Sequence, residues 1–299
     1  MAETLTPSTL TTSTLTTWDT AVASWQQALG CLSAAALIAR PPEWAPVRPE
    51  VLDAARAVLD AAGLDPAQAP PAEQITGPLA QAAAITGPVG FDWLDQPDAA
   101  LLAQGRMSGH GARLAARHVL ARLDGLTQRL NRPGAAILDV GTGVATLATA
   151  LAEQFPTATV TGLDVSEQVL ALAHTELAGH PASDRVRLRC QDVATLDERE
   201  AYDLAWIPAP FMAPAALTAG VTAMAAALRP RGWLLLGHGD LPLDRPLDAA
   251  VTRLITAAWG GTALTSDDAA NLLTAAGLTD VTPVGAVPRA PSMTAARRP

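Results

Sequence analysis

Apolar residues recur at helical spacing from Thr17 onward. Trp18, Val22, Trp25, Leu29, Leu32 and Ala36 fall on one face, so Thr17 to Ala39 reads as an amphipathic helix that Arg40-Pro41-Pro42 ends. A second helix is predicted from Pro49 to about Ala62, with Val51, Ala54, Val58 and Leu59 on one face and Gly63 as its stop. Gln74 to Thr86 and Pro97 to Ser108 read as further helices, separated by Gly87-Pro88 and Gly90. Gly111 to Leu130 reads as a long helix stopped by Arg132-Pro133-Gly134. No strand pattern precedes residue 135. Beyond it the period changes. Strands are predicted at Ala136–Val140, Thr159–Leu163, Val186–Cys190, Tyr202–Ile207, Gly232–Gly237 and Val281–Val287, with a last short segment near Met293. Helices at Thr146–Phe155, Ser166–Ala178, Pro214–Leu228 and Asp267–Ala276 lie between them. Alternating strands and helices call for a doubly wound, mainly parallel sheet. The expected class is therefore α/β, preceded by an all-helical N-terminal region. Residues 1–16, rich in Thr and Ser, read as a disordered or extended arm. Residues 17–132 form the helical region, as a lid or a dimer interface, and residues 133–299 the sheet domain.

Composition narrows the function. Of 299 residues, 49% are apolar and 16% charged, which suits a chain with a large core. The net charge of −9 argues against a broad nucleic-acid-binding face, since phosphate contacts need clustered basic residues. The run Arg113, Arg117, Arg122, Arg129, Arg132 is expected to be a solvated helix face. All twenty basic residues are arginine, so no lysine Schiff base or lysine general base is available. Cys31 and Cys190 are far apart and no CxxC occurs, so no metal site is expected and two free thiols fit a reducing cytoplasm. The N-terminus carries no signal-peptide pattern. The longest apolar run, Cys31 to Ala39, is shorter than the roughly 20 residues of a spanning helix, so no membrane is expected.

The sharpest chemical signal is Ile137-Leu-Asp139-Val-Gly141-Thr-Gly143-Val-Ala145-Thr146, an apolar strand running into a Gly-rich turn that opens a helix. Two ligands suit it: a dinucleotide, with its pyrophosphate at the helix terminus, or S-adenosylmethionine (SAM). Thr146 at the sixth position, and an acidic residue two before the first Gly, weigh against the dinucleotide. The segment resembles the first motif of class I SAM-dependent methyltransferases, an acid followed by G-x-G-x-G, with Ala145 in place of the third Gly. The resemblance covers about residues 98–299. It implies that Asp139 sits near the methionine amino group and that Gly141, Gly143 and Ala145 underlie the cofactor.

Asp164 ends the second predicted strand, where a carboxylate can accept both ribose hydroxyls; Val165 follows it. Asp192 and Val193 end the third, and by the same resemblance take the adenine amino group and flank the ring. Tyr202 to Phe211 resembles the strand that leads to the transferred methyl, with Trp206, Pro208, Phe211 and Met212 as candidate pocket residues and Asp203 remote at its start. Leu228-Arg-Pro-Arg231-Gly232 resembles a structural turn of the family, with Arg231 in place of a Gly. His238, after the fifth strand, and His110, in a Gly-flanked joint, are the candidate catalytic groups. Arg106 is a candidate for an anionic group. The expected function is methyl transfer from SAM, leaving S-adenosylhomocysteine, to a small molecule at O, N or C, plausible in secondary metabolism. An NAD(P)-dependent oxidoreductase and a SAM-binding protein without methyl transfer are the alternatives.

Overall fold

The computed structural model describes residues 12–40, 45–86, 96–238, 245–284 and 292–299. The chain divides into two compact units, Met1–Leu79 and Ala80–Pro299. In the first unit, α1 (Thr12–Ile38) packs on α2 (Pro49–Ala61), with Ala34, Ala35, Ala55, Leu59 and Ile75 as its buried core. The expected arm lies outside the described residues as far as residue 11; from Thr12 the chain is already helical. Within α1, Ala21–Ile38 is long and apolar enough to cross a membrane by length and composition, with mean hydropathy 1.3. The expectation from contiguous apolar runs missed this because the polar residues among Thr20–Ala39 are uncharged. Val22, Trp25, Leu29 and Leu32 are 41–54% exposed on this helix.

The helix α3 (Ala72–Ile85) runs through an internal Pro78. In the second unit α4 (Asp98–His118) is one helix, not two: Ser108 to Gly111, expected as a joint, continues it. The long helix expected to reach Leu130 instead stops at His118. A 3₁₀ turn at 120–122 follows, then the short α5 (Leu126–Leu130), which Gly125 opens at φ 69°.

The sheet holds seven strands in the order β3-β2-β1-β4-β5-β7-β6. They are β1 (Ala136–Val140), β2 (Thr159–Asp164), β3 (Val186–Cys190), β4 (Tyr202–Pro208), β5 (Leu228–Gly237), β6 (Thr279–Val284) and β7 (Met293–Arg297). The first five are parallel; β7 pairs antiparallel with both β5 and β6. The helices are α6 (Thr146–Gln154), α7 (Glu167–Leu177), α8 (Pro214–Ala227), α9 (Pro246–Ala258) and α10 (Ser266–Ala275). Two apolar cores form, around Ile137, Leu151 and Leu204 and around Leu138, Ile207 and Met224. Because successive strand residues point to opposite faces, Ile137 and Leu138 enter different cores.

β5 begins four residues earlier than expected and carries Arg231 at φ 65°, a backbone state that suits the glycine the resemblance places there. The helix α9 was overlooked although Leu247, Val251, Leu254 and Ile255 recur at helical spacing; the first three are 46–74% exposed. At the N-terminal edge of the sheet, buried Asp203 accepts from Arg129 Nε at 2.5 Å, Arg229 Nη1 at 2.6 Å and Ala136 N–H at 3.0 Å. Arg129, expected on a solvated face, is thus an interior counter-ion, whereas Arg113, Arg117, Arg122 and Arg132 are exposed.

Candidate functional site

The chain reverses its winding direction between β1 and β4: from β1 it proceeds to β2 and β3 on one side, and β4 and β5 lie on the other. Ligands of open α/β sheets bind at such a switch point, at the strand C-termini. Here that point is the turn 141–145 beside Pro208; a Cβ on Gly141 would stand 3.1 Å from Pro208 Cγ. Gly141, Gly143 and Ala145 all take positive φ, at 64°, 56° and 64°. Ala145 accepts this state without being glycine and opens α6 as its N-cap. A Cβ on Gly143 would meet nothing within 4 Å among the described residues, which leaves the turn open to close approach.

Two carboxylates hold this turn, Asp139 through Thr142 and Asp164 through Gly143, and a third, Asp192, follows the outer strand β3. Asp139 is 1% exposed and accepts the Thr142 hydroxyl at 2.7 Å. Burial pushes its pKa up to about 7; the Thr142 hydrogen bond opposes the rise and the charge of Asp164 adds to it. Asp164 accepts Gly143 N–H at 3.0 Å on Oδ2 and Ser166 N–H at 3.0 Å on Oδ1, so it links the Gly-rich turn to the start of α7. Burial raises its pKa as well, opposed by those N–H bonds. Asp192, exposed at the end of β3, caps a 3₁₀ turn through Ala194 N–H at 2.9 Å. Val165 is 57% exposed at the neighbouring strand end. Val193 is not at the surface: it is buried, and the close approach of Gly220 in α8 is to its side chain.

The other expected residues separate. Trp206 lies against Gly237, whose Cβ would fall 2.5 Å from the indole Cη2. Phe211, on the 3₁₀ turn after β4, stacks on Trp259 with ring centroids 4.5 Å apart and planes 10° from parallel. Thr262 fastens the same rim, donating N–H to Ala209 C=O at 2.9 Å and its hydroxyl to Met212 C=O at 2.6 Å. Trp259 and Thr262, which follow α9, were missed from sequence because nothing local ties them to the turn after β4. His238 is not a solvated loop residue. It is 2% exposed, its N–H donates to Ser292 C=O at 3.0 Å, and its Nε2 lies 3.1 Å from Thr294 Oγ1 on β7. Arg106 is exposed on α4. His110 is also on α4, but its side chain lies outside the described residues. Among the described residues no cluster of His, Cys, Asp and Glu could hold a metal ion.

The three carboxylates are hydrogen-bond acceptors at the C-terminal ends of parallel strands. Residues 137–232 match the family described as Methyltransferase domain. A release factor glutamine methyltransferase from Rhodopirellula baltica is 31% identical over 139 residues, 46% of this chain and 47% of that protein. The chain spans about half or less of the curated relatives it matches. Among solved structures, the pyocyanin biosynthetic protein PhzM superposes with TM-score 0.65 at 18% identity, covering 96% of this chain and 99% of that one. Human N-acetylserotonin methyltransferase in complex with SAM superposes with TM-score 0.59 at 16% identity, covering 98% and 99%. At those identities the likeness is one of fold. Motif, strand order and family match together make residues 137–232 a methyltransferase domain, in a chain with the class I SAM-dependent methyltransferase fold.

Proposed function

We propose that the chain transfers a methyl group from SAM to a small, flat, largely apolar acceptor. The observation that supports the reading is the pairing of Asp139 and Asp164 at the positive-φ turn of the switch point, with Asp164 accepting Gly143 N–H. When bound, SAM supplies a methyl group already activated on a sulfonium, so the protein's task is alignment and exclusion of water. Asp164 binds and orients through its carboxylate, Asp139 supplies a compensating charge, and Asp192 stands at the exposed rim. Pro208, Phe211 and Met212 follow or end β4, Trp259 stacks on Phe211, and an acceptor held by them and Trp206 would meet apolar and aromatic side chains, which favours a ring-shaped acceptor. His238 and His110 are the groups proposed to take a proton from the acceptor, where one must leave. Human N-acetylserotonin methyltransferase and the pyocyanin protein support a small-molecule acceptor, and the latter supports a place in secondary metabolism.

The N-terminal helical region is proposed to mediate homodimer formation. Val22, Trp25, Leu29 and Leu32 lie exposed at alternating spacings of three and four, the seam of a helix pair. Light scattering behind size exclusion is expected to give twice the chain mass, and Trp25→Glu to give a monomer. We place the enzyme in the cytoplasm; recovery in the membrane fraction after cell lysis would contradict this.

Calorimetric titration with SAM, and in parallel with NADH, tests the central reading. SAM binding that Asp164→Ala abolishes, with no NADH binding, is the expected result. Folded protein that does not bind SAM would refute it.

A further inference from the structure

Helix α4 touches both turns that carry the cofactor carboxylates. Gly105 and Gly109 are four residues apart, so they share one face of the helix. A Cβ on Gly105 would fall deep inside van der Waals contact with Val144 Cγ2, and one on Gly109 would come 3.2 Å from Thr146 Cβ. Val144 and Thr146 flank Ala145, the residue held at φ 64°. The N-terminal end of α4 is fastened to the other turn. Gln168, two residues beyond the Ser166 cap of α7, donates Nε2–H to Asp98 Oδ1 at 2.8 Å and to Gln96 C=O at 3.2 Å. Leu101 is buried in one cluster with Val144 and Val169. Within α4, Gln104 donates to Ser108 Oγ at 2.9 Å and accepts from Gln81.

Glycine is a poor helix former, and two on one helical face weaken an isolated helix. Both stand where α4 comes closest to the Gly-rich turn. We propose that Gly105 and Gly109 are positioning residues for the cofactor. They let the backbone of α4 rest on Val144 and Thr146, and so hold the turn 141–145 in its left-handed conformation, in register with Asp164. The inference rests on reading that turn as the SAM site. A side chain at 105 must push Val144 aside, and Gly143 N–H then loses its 3.0 Å alignment on Asp164. That couples packing on α4 to ribose recognition.

The test uses Gly105→Ala, Val144→Ala and the double variant in the full chain. SAM dissociation constants come from calorimetry, and folding is followed by circular dichroism and melting. Gly105→Ala is expected to retain its helix signal and to weaken SAM about tenfold, the size of an overpacking penalty. Val144→Ala removes Cγ2 and vacates the space the new Cβ needs, so the double variant is expected to recover to within about threefold of wild type. Gly109→Ala makes the milder contact and is expected to weaken SAM about threefold; it carries the test where Gly105→Ala does not fold. Wild-type affinity in folded Gly105→Ala or Gly109→Ala would overturn the inference. So would a melting temperature that Val144→Ala rescues while the affinity stays lost. Wild-type protein that binds no SAM would instead overturn the reading of the site itself.

Discussion

On the proposed reading of the site, Asp139 is expected to make SAM binding pH-dependent. Its carboxyl is 1% exposed and burial pushes its pKa up to about 7, so the cofactor-free protein holds it largely protonated at pH 6. A cationic ligand needs the ionised form. If binding returns the carboxyl to its ordinary range, apparent affinity scales with the ionised fraction, about one tenth at pH 6 and nine tenths at pH 8. SAM affinity is therefore expected to rise about tenfold over that interval, roughly 1.4 kcal/mol. Calorimetry in two buffers of different ionisation enthalpy should show about 0.9 proton released per SAM at pH 6 and about 0.1 at pH 8. Asp139→Asn should bind weakly and lose both effects, which separates this carboxyl from the histidines. The stability of the cofactor-free protein carries the opposite sign. The folded pKa lies above the unfolded value of 3.8, so the contribution is complete below pH 3.8 and lost as pH rises through about 7, on the order of 4 kcal/mol. A pH-independent dissociation constant, or a pH dependence retained in Asp139→Asn, would refute the reasoning.

Asp203→Ala removes the shared acceptor of Arg129, Arg229 and Ala136 N–H at the base of the sheet and is expected to cost about 1–3 kcal/mol, read as a lowered melting temperature. Ala145→Gly removes a left-handed alanine worth about 1–2 kcal/mol but adds chain entropy and deletes a fully buried methyl, so denaturant unfolding should change by less than about 1 kcal/mol. Trp259→Ala is expected to raise the acceptor KM while the SAM dissociation constant stays constant; a matching loss of SAM affinity would remove Trp259 from the acceptor wall. His238→Gln separates the two roles of that residue. Loss of the acid limb of the kcat–pH profile would identify a base, and an unchanged profile with lower stability would identify a tie to Thr294.

β1, β4 and the second half of β5 were legible as short apolar runs and β2 and β3 as alternating apolar and polar residues, and the acids at the ends of β1 to β3 followed from those boundaries. What escaped detection depends on tertiary contact. The segment around Gly109 and His110 read as a joint between two helices, yet α4 runs through it, and at Gly109 the absent side chain leaves room for Thr146 of the neighbouring turn. Arg129 read as surface because its counter-ion, Asp203, is 74 residues away in sequence. Val193 belongs by position to a ligand rim but by contact to the core under α8. For α9 the signal was present, since Leu247, Val251, Leu254 and Ile255 fall at helical spacing, and it was overlooked.

The strand order also sets a timetable. β7 lies between β5 and β6, so β6 has no place in the sheet until residues 293–297 have been synthesised. During translation the parallel half, β1 to β5, can assemble as soon as Gly237 clears the ribosome. β5 then presents an unpaired edge of four buried-type residues, Trp233 to Leu236, until its antiparallel neighbour arrives. A pause between Gly237 and Met293 would lengthen that window, and nascent chains halted there should be the ones that chaperones hold and that aggregate when chaperones are scarce.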